Sequence, residues 1–248
     1  MSRLEIKGFV EVSFSDWDGR VSTVVFLSGC NLRCPFCQNS DLVLRPRQLA
    51  SLDLGTLTTY LRKNSSWIDG VVLTGGEPTL GDGLGGLAES VRKLGFPVKL
   101  DTNGTRPEVL RDLLEAGLVD YVAMDIKAPL DWRYERAAGV AVDLADIARS
   151  IDLVRSAAGV PYEFRTTLVP GIAGGEEVAA IARSIEGAAK YVLQQFVPDN
   201  CLDSALRGAI PFTDAAAREF ARRAGAHVKS CSYRGKTGTD FSSQGRPA

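Results

Sequence analysis

The sequence predicts an α/β fold, a partial (β/α)6 barrel of parallel strands with a cysteine-bearing loop after the first strand. Two observations carry this expectation. Short β-branched runs alternate with longer segments of helical period along most of the 248 residues, the pattern of parallel strands joined by right-handed crossovers. Each cluster of unusual polar residues also falls at the carboxyl end of one of those runs, the face on which parallel barrels build active sites.

Residues 4–14 alternate well enough to add an edge strand ahead of the barrel. Residues 21–27 form the first barrel strand and run into the cysteine loop, 29–39. The second strand, 70–74, ends in Thr74-Gly-Gly-Glu-Pro78, and the third, 98–101, in Asp101-Thr-Asn-Gly104. The fourth, 121–125, ends in Asp125-Ile-Lys127. The fifth, 162–168, carries Arg165-Thr-Thr-Leu-Val-Pro-Gly171, and the sixth, 190–196, ends in Gln194-Gln-Phe196. Amphipathic segments at 54–63, 84–94, 107–116, 144–157 and 176–185 supply the intervening helices. Pro107 suits a helix start, and Gly95 and Gly117 suit helix stops.

Composition narrows the classes. Hydrophobic content of 45% and charged content of 24% are ordinary globular values. A net charge of −1 gives no reason to expect nucleic acid or an anionic membrane as partner. No apolar run approaches the eighteen or so residues that span a bilayer, and the first residues alternate charge with apolar side chains rather than forming a signal peptide. A cytoplasmic location is expected, where thiols stay reduced. Length favours a single domain over residues 1–234, with the Gly-, Ser- and Thr-rich residues 235–248 as a flexible tail.

Cys30, Cys34 and Cys37 stand as C-x₃-C-x₂-C, with Pro35 stiffening the loop. Three thiolates can hold three corners of a cubane iron–sulfur cluster, leaving one iron open to a substrate or cofactor. A structural zinc site would want a fourth ligand, yet the sole histidine, His227, lies far downstream and Cys201 and Cys231 are isolated. Five cysteines in a chain of this size also make a poor disulfide framework.

The succession Cys-x₃-Cys-x-Phe-Cys, Gly-Gly-Glu-Pro, Asp-Thr-Asn-Gly and Asp-Ile-Lys resembles the radical S-adenosylmethionine (SAM) superfamily. Within it, the order is similar to the activating enzymes of glycyl radical enzymes. These include the anaerobic ribonucleoside-triphosphate reductase activating proteins and pyruvate formate-lyase activating enzyme. The similarity spans residues 8–198.

The resemblance implies a [4Fe–4S] cluster on Cys30, Cys34 and Cys37 whose unique iron chelates S-adenosyl-L-methionine. Reductive cleavage of that cofactor would give a 5′-deoxyadenosyl radical, which takes hydrogen from a glycine of a partner glycyl radical enzyme, first of all anaerobic ribonucleotide reductase. A low-potential donor such as flavodoxin or ferredoxin would supply the electron. The alternative within the chemistry is a small-molecule or nucleobase substrate, as in 7-carboxy-7-deazaguanine synthase. The non-enzymatic alternative is a cluster- or zinc-binding module. No ferredoxin-like insert lies between Asn39 and Gly70, so a single cluster is expected.

Site roles follow from the same resemblance, each beside a plainer reading. Phe36 would shield the cluster near the adenine, or pack in the core. Gly75 and Gly76 would let the backbone approach the cofactor, and Glu77 would accept from its ammonium; a glycine-rich turn is the alternative. Asp101, Thr102 and Asp125 would help hold a monovalent cation (Na⁺ or K⁺), since two neighbouring carboxylates repel without one. Otherwise Asp101 caps the turn at Asn103 and Gly104, with Asn103 beside the cofactor. Lys127 would meet the cofactor carboxylate or Asp125. Arg165, Leu168, Gln195 and Phe196 would contact the carboxylate, adenine or ribose. The turn Asp16-Trp-Asp-Gly19 would face a partner or serve simply as a turn.

Overall fold

The computed structural model describes residues 2–235 and 238–244. Its amino-terminal elements are β1 (Ser2–Arg3), β2 (Ile6–Ser13), β3 (Ser22–Leu27), α1 (Ser40–Leu44), α2 (Leu54–Lys63), β4 (Gly70–Gly75) and β5 (Gly81–Asp82). Then come α3 (Leu84–Lys93), β6 (Val98–Thr102), α4 (Pro107–Glu115), β7 (Tyr121–Asp125), α5 (Arg133–Ala138) and α6 (Leu144–Ser156). The chain closes with β8 (Tyr162–Leu168), α7 (Gly175–Ser184), β9 (Tyr191–Gln195), α8 (Asp214–Ala224), β10 (Ser230–Gly235) and β11 (Gly238–Gln244). The described residues divide into two compact units. One comprises the described residues up to Asn31 with Asn39–Ala123 and Ala157–Pro161, and the other Leu32–Gln38, Met124–Ser156 and the described residues from Tyr162 on.

In the first unit β3, β4 and β6 run parallel, and β2 adds antiparallel to β3 as the expected edge strand. Val71, Val72 and Leu73 are 0%, 0% and 1% exposed, as befits a parallel strand covered on both faces. The helices start where their chemistry allows. The Asp53 carboxylate accepts the Thr56 N–H at 3.0 Å to cap α2, and Pro107 opens α4. Leu57 and Leu61 of α2 and Leu110 and Leu113 of α4 repeat at helical spacing, and all are buried.

In the second unit β8, β9 and β10 are parallel, and β11 pairs antiparallel with β10. The helix α8 and strand β10 extend the expected series by one strand; the run Ser-Cys-Ser-Tyr-Arg-Gly is too polar to announce itself. Residues 238–244, expected to belong to a flexible tail, form β11. Residues 236, 237 and 245–248 of that tail lie outside the described residues. The core of this unit gathers Phe164, Tyr191, Leu193 and Tyr233, all fully buried. The Tyr191 hydroxyl is satisfied there by donating to Thr166 Oγ1 at 2.9 Å. No helix among the described residues is long and apolar enough to cross a membrane.

Candidate active site

At the end of β4 the two glycines answer to packing. Gly75 has φ +125°, and a Cβ on it would lie 2.3 Å from the Leu27 nitrogen. A Cβ on Gly76 would lie 1.8 Å from the Gly29 carbonyl oxygen. The backbone that these glycines admit is therefore the end of β3 and the start of the cysteine loop. Two hydrogen bonds seal that approach, Gly76 N–H to the Leu27 carbonyl at 2.9 Å and Glu77 N–H to the Gly29 carbonyl at 2.7 Å.

Glu77 is 1% exposed, and its carboxylate is occupied from within the protein. Oε1 accepts from Thr79 N–H at 3.1 Å, Thr79 Oγ1 at 2.6 Å and Thr102 Oγ1 at 2.7 Å, while Oε2 accepts the Asn103 N–H at 2.6 Å. Burial raises its pKa, and those donors oppose the rise. Within the protein this carboxylate ties the end of β4 to the end of β6 and the turn after it. Thr102 completes it: its hydroxyl also accepts the Gly104 N–H at 3.1 Å and so caps this turn.

The buried lysine Lys99 was not anticipated. It donates to the Asp16 carbonyl at 2.5 Å, lies 3.7 Å from Asp101 and sits 5.3 Å from the centroid of the Tyr121 ring. The turn at Asp16 is anchored by this contact and by Ser13 Oγ donating to the Asp16 carboxylate at 2.5 Å.

Cys30 faces the turn after β6, with its Sγ 4.0 Å from Nδ2 of Asn103. Asn31 and Thr105, neither of them expected at the site, hold that amide. Asn31 directly follows the first cysteine and Thr105 closes the Asp-Thr-Asn-Gly-Thr run, the one signal the sequence offers for either.

In the second unit, the Cys37 N–H closes a turn onto the Cys34 carbonyl at 3.0 Å. The Arg33 N–H donates to Ala138, the last residue of α5, at 2.7 Å. Leu202 and Asp203 N–H groups donate to the Cys37 and Pro35 carbonyls at 3.0 and 2.9 Å. Gly139 follows α5 at φ +71°, and a Cβ there would lie 2.1 Å from the Arg33 carbonyl oxygen. Phe36 is buried, in keeping with its packing reading. Burial pushes the Cys34 thiol up to about 11, against the opposing charge of Lys127.

Asp125 is gripped from two sides, by Lys127 Nζ at 2.9 Å and Arg165 Nε at 2.8 Å. Burial alone would raise this carboxyl; Arg165 and Lys127 outweigh it and hold it well below the ordinary range. Lys127 meets Asp125, one of the two partners expected for it, and Arg165 reaches the same carboxylate. A Na⁺ or K⁺ ion was expected at Asp101, Thr102 and Asp125, by resemblance and because two neighbouring carboxylates repel without a cation. Asp101 has Lys99 within 3.7 Å, and Asp125 has two cations of its own. Leu168 and Phe196 are buried, 0% and 1% exposed. The Gln195 amide is used internally, donating to the Phe212 carbonyl at 3.0 Å and accepting from Tyr233 Oη at 2.7 Å.

A family model for the radical SAM superfamily matches residues 24–184. The chain belongs to the radical SAM superfamily. Over 203 residues it is 34% identical to a Methanocaldococcus jannaschii protein named provisionally as a glycyl-radical enzyme activating enzyme, covering 80% of this chain and 82% of that protein. It is 30% identical over 144 residues to 7-carboxy-7-deazaguanine synthase of Neisseria meningitidis serogroup B, covering 58% of this chain and 60% of the synthase. The fold recurs in a structure of TYW1 with a lysine-pyruvate adduct bound. There the TM-score is 0.59 at 14% identity, covering 85% of this chain and 75% of that one.

A radical SAM enzyme implies a [4Fe–4S] cluster and S-adenosylmethionine. The residues fit the cluster: Cys30, Cys34 and Cys37 are outside any disulfide, thiolates are the ligands such clusters take, and an amide N–H faces Cys30.

Proposed function

We propose that this radical SAM enzyme activates a glycyl radical enzyme, with anaerobic ribonucleotide reductase the first partner to test. The observation that carries the reading is the likeness, over 82% of its length, to the methanogen protein named for that activity. The cluster, when bound on Cys30, Cys34 and Cys37, supplies the electron that splits S-adenosylmethionine into methionine and a 5′-deoxyadenosyl radical.

The protein's own part is placement and protection. Glu77 ties the turn carrying Asn103 to the end of β4, close behind the residues that lead into Cys30. Lys127 and Arg165 neutralise Asp125 and keep a carboxylate ionised inside the second unit. A low-potential electron carrier and a glycine Cα–H of a protein substrate complete the reaction in this reading.

A second reading, with a small nucleobase-like substrate, is favoured by the 30% identity to 7-carboxy-7-deazaguanine synthase. One experiment separates them. Anaerobically reconstituted protein is reduced with S-adenosylmethionine present and assayed for 5′-deoxyadenosine, with Cys34→Ala as control. Purified anaerobic ribonucleotide reductase is then added and its glycyl radical sought by electron paramagnetic resonance. Cleavage together with a glycyl radical supports the activase. Cleavage that leaves the reductase silent turns the search to small molecules, and no Cys34-dependent cleavage removes both readings.

A further inference from the structure

Asn31, Asn103 and Thr105 close a ring of hydrogen bonds beside Cys30. Asn103 Nδ2 donates to Asn31 Oδ1 at 3.0 Å, Asn31 Nδ2 donates to Thr105 Oγ1 at 2.8 Å, and that hydroxyl donates to Asn103 Oδ1 at 2.7 Å. The backbone N–H of Thr105 also reaches Asn103 Oδ1 at 3.0 Å. A backbone N–H can only donate, so the Asn103 oxygen is fixed toward Thr105 and its NH₂ toward Asn31. One hydrogen of that NH₂ is used on Asn31. The other is left for Cys30 Sγ, with N···S 4.0 Å.

We propose that Asn103 is a positioning residue that donates a hydrogen bond to the Cys30 thiolate and thereby raises the reduction potential of the cluster. Hydrogen bonds to ligand sulfurs are among the levers a protein has on cluster potential, because a donor favours the more electron-rich, reduced state. The ring supplies what a lone asparagine at a turn lacks, a fixed amide plane with no rotation away from sulfur. Glu77 fixes the backbone of the same residue from below. Asn103 thus acts through the cluster ligand, and the assignment holds for either substrate class. The thiolate is charged in both redox states, so only the strengthening of the bond on reduction moves the potential. Losing it should change the reduced-to-oxidised ratio on the order of tenfold, which is ~59 mV for one electron.

The test is a redox titration of the reconstituted full-length protein, followed by electron paramagnetic resonance without S-adenosylmethionine, with iron and sulfide measured in every sample. Asn103→Ala and Asn103→Asp should both retain the cluster and lower its potential, the alanine variant by about that tenfold step. An unchanged potential in Asn103→Ala overturns the proposal, even if Asn103→Asp falls, because then charge alone acts. Should Asn103→Ala fail to hold a cluster, Thr105→Val decides. It keeps the N–H but unlocks the amide, so a smaller shift of the same sign is expected, and no shift overturns the proposal.

Discussion

The backbone N–H of Asn103 donates to Oε2 of Glu77 at 2.6 Å, joining the turn after β6 to the end of β4 through a carboxylate that is 1% exposed. Two segments that the sequence separates by more than twenty residues are thereby held as one piece. Glu77 collects its other bonds from Thr79 and Thr102, so the Gly-Gly-Glu-Pro and Asp-Thr-Asn-Gly motifs are halves of a single hydrogen-bonded unit.

Removing that carboxylate should therefore cost stability before it costs chemistry. Glu77→Ala leaves several buried donors unanswered, each worth ~1–3 kcal/mol. Glu77→Gln keeps one oxygen but turns an NH₂ toward a donor, a loss of about 1–3 kcal/mol. Urea unfolding of the cluster-free protein should rank wild type above Glu77→Gln above Glu77→Ala. Equal midpoints for wild type and Glu77→Gln would contradict the tie.

Asp125 makes the stability depend on pH. Its folded pKa is depressed, so as pH falls the unfolded chain takes up the proton first. The contribution is intact above about pH 5 and is lost as pH drops below the ordinary carboxylate value of ~3.9. Asp125→Asn strands Lys127 and Arg165. Breaking a buried pair costs ~3–5 kcal/mol, toward the lower end here because the Asp125 side chain is 26% exposed. Denaturant unfolding should show the full gap between wild type and variant at pH 7 and a shrinking gap toward pH 3.

Burial of Cys34 sets its reactivity in the cluster-free chain. With the thiol pushed up to about 11, little thiolate is present at pH 8. Anaerobic alkylation read by mass spectrometry should find Cys34 slow, and Cys231, pushed up to about 12 by burial, slower still. The half-buried Cys30 and Cys37 should label first. The Cys34 rate should climb close to tenfold per pH unit until the thiol titrates. Fast labelling of Cys34 at pH 8 would show that burial does not govern its titration.

Much of this was legible in the sequence, for reasons that particular residues make plain. The strand 121–125 and the helix 54–63 were expected with the bounds observed, because a short apolar run ending in Asp125 and the Leu57/Leu61 spacing are strong local signals. The cysteine motif announced its chemistry by spacing alone. What stayed hidden depends on long-range partners. Nothing near Lys99 says that its ammonium will meet the Asp16 carbonyl, and nothing near Asn31 says that Thr105 will complete its ring. Glu77 was legible as important, but two of its four donors, Thr102 Oγ1 and Asn103 N–H, come from the end of β6 and the turn after it, so this tie was not. Leu168 and Phe196 stood at strand ends, where cofactor contact was the expectation; their burial follows from packing in the second unit, which no local pattern shows.

The two glycines at the end of β4 and the glycines of α3 offer a contrast within one unit. At Gly76 a Cβ would sit 1.8 Å from the Gly29 carbonyl oxygen, a backbone atom that cannot swing aside, and the hydrogen bond from Glu77 N–H fixes that same oxygen. Gly76→Ala must push the end of β4 away from the residues leading into Cys30. Gly86, in the third position of α3, has nothing within 4 Å of its Cβ direction and ordinary helical geometry. Alanine there removes freedom from the unfolded chain and improves helix propensity, a gain of about 0.4–1 kcal/mol. Thermal unfolding of the cluster-free proteins should therefore move in opposite directions, upward by ~1–4 °C for Gly86→Ala given ~2–4 °C per kcal/mol at this size, and sharply downward for Gly76→Ala. Iron bound after reconstitution should fall with Gly76→Ala and hold with Gly86→Ala. A Gly76→Ala protein that melts and loads iron like wild type would mean that β4 and the cysteine loop do not need this close approach.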